Sequence, residues 1–423
     1  MERNGLLIRG GAPLSGEITV SGAKNAALKL MAATLLTSER CVIRDVPDIA
    51  DVRTMMRVLS GLGVKVEWTG PGTLALQASD PLAEQPPDEL VRTMRASVQL
   101  LGPVAARSGR IRMAQPGGCD IGERPLDLHL HGLQSLGAEV RQEGGFIELT
   151  ARHLSGTDIV LDFPSVGATE NLMMAAVRAR GVTVIHNAAR EPEVVELQSF
   201  LQAMGARVQG AGSSAIRVEG TEDGLHGCEW SLMPDRIEAA TWLLAAAITR
   251  GHLRLTGARA DHLAAVIARL RSAGVEVERV EEGLEVSAQG RALSAVSVRT
   301  QPYPGFPTDV QPQWVALMVT ARGTSVVREE IYSRRFRFVQ ELWRMGADIA
   351  VDGRVAVVRG PSRLSGADVE APDLRGGAAL VLAALAAEGQ SFVGGVHHLE
   401  RGYERLVEKL AQAGARVRRV SQA

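Results

Sequence analysis

Six segments of this chain carry one short pattern, and no other feature limits the fold as much. They are LSGLGVKV, LQSLGAEV, LQAMGARV, LRSAGVEV, LWRMGADI and LAQAGARV, opening at Leu59, Leu133, Leu201, Leu270, Leu342 and Leu410. Successive copies lie 68 to 74 residues apart. Each reads as the last turn of an amphipathic helix, a glycine that ends it, and a strand of alternating polarity. The capping glycines are Gly63, Gly137, Gly205, Gly274, Gly346 and Gly414.

A second feature keeps step with the first. Ala-rich stretches such as AALKLMAATLL, ENLMMAAVRARG and EAATWLLAAAITRG are apolar nearly all round, which marks buried helices. Each leads into a short β-branched run such as CVIRDV or GVTVIHN, so every repeat reads helix, strand, helix, strand, strand. Stacking solenoids repeat every ~20–50 residues, so a period near seventy argues against a plain scaffold. The expected fold is α/β: two similar lobes of three repeats each, with buried helices and sheets outside them.

The expected division falls near the HGCEWSLMPD stretch, His226 to Asp235. It gives one lobe over 24–232 and a second over 1–23 plus 233–423. The stretch GEITVSG, Gly16 to Gly22, is expected to form a strand paired with the last strand of the sixth repeat.

Composition sets the outer limits. The chain has 423 residues, too many for one typical core, and 45% apolar with 22% charged residues is ordinary globular composition. Formal net charge is −1, which gives no global pull toward nucleic acid or an anionic membrane. The longest apolar stretches, Ala239 to Ile248 and Ala378 to Ala387, have ten residues each. A bilayer span needs about twenty, so these read as buried helices. The opening MERNGLLIRGG has no apolar core followed by a small-residue cleavage site, and three cysteines are too few for a disulfide-built secreted protein. A soluble cytoplasmic protein is expected.

Phosphate-loop and metal motifs fail. GAGSSA at Gly210 to Ala215 joins two strands and opens no helix, so it reads as a turn. His129 and His131 stand two apart and His397 and His398 are adjacent, spacings that do not put two imidazoles on one helical face. No metal and no cofactor is expected.

The loop PGGCDIGERP, Pro116 to Pro125, is a stronger signal. Turn-rich loops of this length in a compact domain are usually functional. It offers the thiol of Cys119 beside the fixed charge of Arg124, and a thiol near arginines has a depressed pKa. Cys41 and Cys228, which flank strands, suit the blander role of small buried residues. Lys24 and Asn25 in SGAKNAALK stand at a strand-to-helix junction, where free N–H groups favour anions. By position alone Lys24 fits either an anion site or a solvated first-turn lysine. Yet 43 of the 47 basic residues are arginines, so a lysine is an unusual choice there. Arg95, Asp309, Arg335, Asp373, Arg375 and Arg401 all fall at repeat edges beside loops. Several arginines converging with one lysine make a site for phosphate and carboxylate groups.

Together these motifs make the sequence resemble the UDP-N-acetylglucosamine 1-carboxyvinyltransferases, enolpyruvyl transferases of peptidoglycan synthesis. The resemblance runs from SGAKNAAL through PGGCDIGERPLDLH, SVGAT at Ser165, AAREPE at Ala188, PDRIEA at Pro234, FPTD and RGYE. It implies two inside-out α/β barrels of three βαβαββ repeats each, with a cleft between lobes that closes over its ligands. It implies phosphoenolpyruvate and UDP-N-acetylglucosamine as substrates, with neither nucleic acid nor membrane as partner. Lys24, Arg124 and Arg401 resemble the cradle for the phosphoenolpyruvate phosphate, with Asn25 beside them, and Arg335 and Arg375 the partners of its carboxylate. Asn25, Arg95, Arg124, Pro125, Leu126, Asp127, Leu128, Ser165, Val166, Gly167, Asp309 and Ile331 match positions that contact the UDP-sugar. Cys119 matches the general acid, which also forms a covalent phosphoenolpyruvate adduct, and Asp309 the acceptor of the sugar 3′-hydroxyl proton.

Three positions depart from the usual pattern. Glu400 stands where an aspartate is common, Arg334 where an asparagine is, and Tyr303 where a histidine is frequent. A catalytically silent regulatory paralogue is thus one alternative. The shikimate-pathway enolpyruvyl transferase is a second, although it lacks the cysteine loop and carries Lys-Ser for Lys24-Asn25. A six-repeat DNA clamp is a third, set against the near-zero net charge.

Overall fold

The computed structural model describes residues 4–118, 121–122, 126–221 and 224–421. Packing divides the chain into two compact units. One, the amino-terminal unit, comprises Gly22–Gly118 and Pro125–Met233; the other, the carboxy-terminal unit, comprises Met1–Ser21, Cys119–Arg124 and Pro234–Ala423. Each has its own hydrophobic core. Among the described residues no helix is long and apolar enough to cross a membrane.

The repeats appear as sheets. The carboxy-terminal unit has three four-stranded sheets, and the amino-terminal unit has two of four strands and one of three. In every four-stranded sheet an edge strand runs parallel to its neighbour and the remaining pairs are antiparallel. Parallel neighbours need a long crossover. In the repeat running from Val298–Arg299 to Gly323–Arg328 that crossover contains the Gln311–Val319 helix, buried along its whole length. The helices Arg236–Ile248, Gln311–Val319 and Leu374–Ala386 pack on one another inside their unit, lined by Ala, Leu and Val. Small side chains let helices approach closely while shedding little rotamer entropy.

The six glycines that end the Leu-initiated segments all take the left-handed conformation, with φ between +88° and +99°. A side chain there would be strained, so the glycine stops the helix and turns the chain into its strand.

The first strands differ from expectation. Ser15–Thr19 pairs in parallel with His252–Thr256, Ile18 opposite Leu255, and not with the last strand of the chain. That last strand, Arg416–Ser421, pairs instead with Asn4–Arg9, which also pairs with Gln390–Gly394. The physical reason is burial. Leu6 and Ile8 are fully buried and give Asn4–Arg9 the two-sided pairing of an inner strand, whereas Ser15–Thr19 buries only Ile18 and suits an edge. The GAGSSA segment is a turn, as its spacing predicts, with Ser213 donating to the Gly210 carbonyl.

Candidate active site

In the carboxy-terminal unit, Asp309 sits in the short helical turn Thr308–Val310 that leads into Gln311–Val319. Its carboxylate lies 2.6 Å from Arg335 and 3.5 Å from Arg375. Both arginine side chains are 5% exposed or less, while that of Asp309 retains 30%. Two buried guanidinium groups beside one carboxylate favour its ionised form. Arg375 stands in the first turn of Leu374–Ala386, whose N-cap Asp373 accepts from the backbone N–H groups of Arg375 and Gly376. Burial pulls the Arg375 pKa down, but Tyr403, Asp309 and Asp235 outweigh it and raise the value, so the charge is secure. The Tyr403 hydroxyl accepts from Arg375 at 3.1 Å.

Ile331 is placed by a residue that sequence reasoning missed. Glu329 is fully buried and accepts from the backbone of Ile331 and Tyr332 and from the hydroxyls of Thr300 and Thr308. It therefore ties the Ile331 turn to the Asp309 turn. Four donors on one buried carboxylate satisfy most of its acceptor capacity. Of the cysteine loop, Pro116, Gly117, Gly118, Ile121 and Gly122 are described. Ile121 accepts from the backbone N–H of Arg334, and Gly122, at φ +118°, lies where a side chain would strike Ser333. Those contacts set Ile121 and Gly122 against the segment that carries Arg335. Cys119, Arg124 and Pro125 lie outside the described residues. Arg401 lies in a turn just past the short helix Val396–Leu399; burial first, then the charges of His397 and Arg401, lower the His398 pKa.

In the amino-terminal unit, Lys24 opens the helix Lys24–Ala33 beside Asn25. It is not a solvated surface lysine: its ammonium is nearly buried and lies 2.8 Å from Asp51. That helix packs on the turn Arg95–Leu100, which begins with Arg95. The same turn packs on Val166–Ala176, whose N-cap Ser165 accepts from the Ala168 N–H at 3.3 Å. Val166 and Gly167 stand in the first turn, where helical N–H groups lack intrahelical partners and favour anions.

A second missed group supports this terminus. His129 follows Asp127 and Leu128 in the helix Asp127–Ser135, and its Nδ1 lies 3.0 Å from the Asn171 amide. Burial first, and the charge of Arg95 second, lower its pKa to about 3, so the ring is neutral. With Asn171 donating to Nδ1, the proton resides on Nε2. The Gln99 amide donates to the Gly167 carbonyl at 3.0 Å. A Cβ on Gly167 would lie 3.2 Å from both Gln99 and the His129 ring, so only glycine fits without displacing them. The sequence did contain His129, but only as a rejected metal ligand.

The three departures find definite partners. Glu400 pairs with Arg419 at 2.5 Å, the Tyr303 hydroxyl donates to the Asp261 carbonyl, and the Arg334 backbone holds Ile121.

Buried helices behind mixed sheets are the fold of the enolpyruvyl transferases, and within it Arg335 and Arg375 stand beside Asp309. The family model described as EPSP synthase (3-phosphoshikimate 1-carboxyvinyltransferase) matches residues 8–410. The solved enolpyruvyl transferase NikO from Streptomyces tendae superposes with a TM-score of 0.90 at 28% identity over 100% of both chains. The UDP-N-acetylglucosamine 1-carboxyvinyltransferase of Nitratidesulfovibrio vulgaris is 52% identical over 98% of this chain and 99% of its own. Its counterpart in Gluconobacter oxydans is likewise 52% identical, over 98% and 99%. The chain belongs to the UDP-N-acetylglucosamine 1-carboxyvinyltransferase family.

Proposed function

We propose that this protein transfers the enolpyruvyl group of phosphoenolpyruvate to the 3′-hydroxyl of UDP-N-acetylglucosamine and releases phosphate, the first committed step of peptidoglycan synthesis. The observation that carries this reading is Asp309, a partly exposed carboxylate paired with two buried arginines. Asp309 takes the proton of the sugar hydroxyl as its oxygen attacks C2 of phosphoenolpyruvate. Cys119 delivers a proton to the methylene carbon, and the double bond becomes a tetrahedral ketal. Loss of a methyl proton and of phosphate then restores the enol ether. Lys24, Arg124 and Arg401, beside Asn25, hold the phosphate and stabilise it as it leaves, while Arg335 and Arg375 hold the carboxylate. The N-terminus of Val166–Ala176, with Ser165, Val166 and Gly167, suits the diphosphate of the UDP-sugar. Arg95, Arg124, Pro125, Leu126, Asp127, Leu128 and Ile331 complete its site. The protein works in the cytoplasm, where nucleotide sugars are made and used.

Relatives of half identity carrying the UDP-sugar name set aside the shikimate reading. The test for Cys119 is its reaction with fosfomycin, a phosphonate epoxide drawn in by the same cations. One adduct, in the peptide containing Cys119 and formed faster with the UDP-sugar present, is the expected result. Labelling spread over all three cysteines, or absent, would contradict the assignment.

A further inference from the structure

The proposed chemistry uses neither Cys41 nor Cys228, yet the fold brings them together. Cys41 opens the strand Cys41–Arg44, and Cys228 immediately precedes the strand Glu229–Ser231. The strands pair in parallel with Glu229 opposite Val42, and one step earlier the Val42 N–H donates to the Cys228 carbonyl at 2.9 Å. The two cysteines thus stand side by side on neighbouring strands. Strand spacing is about 4.8 Å, and disulfides take Cα separations of about 4.4–6.8 Å.

Paired residues of neighbouring strands put their side chains on the same face of the sheet, so the two thiols are neighbours. The neighbouring Cys228, opposed by burial, lowers the Cys41 pKa. The neighbouring Cys41, together with burial, raises that of Cys228. Cys41 is fully buried against the core, and Cys228 is partly exposed at the sheet edge. One sulfur can meet a solute, and the other stands beside it, sheltered, where it can close on an oxidised neighbour. That division of labour is what a resolving pair needs.

We propose that Cys41 and Cys228 are a reversible oxidation site that closes to a disulfide on meeting a hydroperoxide. The Cys228 sulfur attacks the peroxide; an S–O bond forms, the O–O bond breaks, and the alcohol, or water from hydrogen peroxide, departs with the thiol proton. The Cys41 sulfur then attacks the sulfenyl sulfur, the S–S bond forms, and the sulfenyl hydroxyl leaves as water with the Cys41 thiol proton. Two thiols lose two electrons and the peroxide gains them. The bond fastens Glu229–Ser231, an edge strand of three residues with one partner strand, to its sheet.

The test treats the reduced full chain with hydrogen peroxide, then unfolds it in iodoacetamide and digests it with trypsin without reductant. Trypsin releases Cys41 in the peptide CVIR and separates Cys228 and Cys119 into two others, so each thiol is followed independently. The expected product is CVIR joined to the Cys228 peptide, lost on adding dithiothreitol. In Cys228→Ser, Cys41 should stay open to iodoacetamide after the same treatment. Full alkylation of both wild-type thiols at a peroxide dose that oxidises Cys119 would overturn the proposal. So would Cys228 driven to sulfinic acid with Cys41 still free, because that outcome means Cys41 cannot reach the sulfenyl group.

Discussion

The two units share one architecture and make positive potential in different ways. In the carboxy-terminal unit it comes from fixed charge: Arg335 and Arg375, buried and clasped to Asp309. In the amino-terminal unit the best-built feature is a helix N-terminus at Ser165–Gly167, backed by neutral groups in Gln99, His129 and Asn171. Its buried lysines are already paired, Lys24 with Asp51 and Lys29 with Glu170. Repeats of one design can thus serve different tasks, because the fold fixes where a loop emerges and leaves open what it carries. Guanidinium groups suit small, highly charged ligands that need two-pronged contacts, whereas backbone N–H groups suit a diphosphate spread along a helix end.

If this contrast holds, substitutions in the two units should fail differently. The largest loss is expected from Asp309→Asn, which keeps the shape and removes the proton acceptor. Turnover should fall by about 10² or more, while calorimetric affinity for the UDP-sugar stays within about tenfold. Near-normal turnover would move the base elsewhere.

The neutral side of the comparison is tested by acid. His129 has a folded pKa of about 3 against 6.5 for the free group, so the unfolded chain binds the extra proton between those values. Its contribution to stability is present above pH 6.5 and is lost as pH falls toward 3, with a slope of up to about 1.4 kcal/mol per pH unit. Urea titrations of wild type and His129→Gln across this window should show a shallower acid limb in the variant. Parallel limbs would mean that the ring is charged or exposed.

A smaller effect is expected from Gly167→Ala. The added methyl meets Gln99 and His129 at 3.2 Å and shifts the helix terminus. The KM for the UDP-sugar should rise by about tenfold, roughly 1.4 kcal/mol, with kcat for the chemical step less changed. A fall in kcat alone would place Gly167 outside the sugar site. Smallest is Ser165→Ala, which removes the N-cap acceptor and should cost about 1 kcal/mol, read as a lower thermal midpoint.

How far the sequence foretold this depends on the kind of information needed. The six capping glycines and the buried Ala-rich helices are local signals, and the structure repeats them at every copy. The pairing of the first two strands is not local. Nothing within GEITVSG states that its neighbour is His252–Thr256, and register is decided by partners more than two hundred residues away. The same limit applies to the site. The motifs singled out Asp309, Arg335 and Arg375 because their residue types carry the chemistry. Asp51, Glu329 and His129 act by holding other residues, and a supporting role leaves no mark until the contact is seen.

The central claim is the substrate pair, and phosphate release measures it most directly. Purified protein with phosphoenolpyruvate and UDP-N-acetylglucosamine should release inorganic phosphate and yield the carboxyvinyl ether of the UDP-sugar. Neither substrate alone, nor phosphoenolpyruvate with shikimate 3-phosphate, should do so. Release with shikimate 3-phosphate in place of the UDP-sugar, or no release with the proposed pair, would contradict the account.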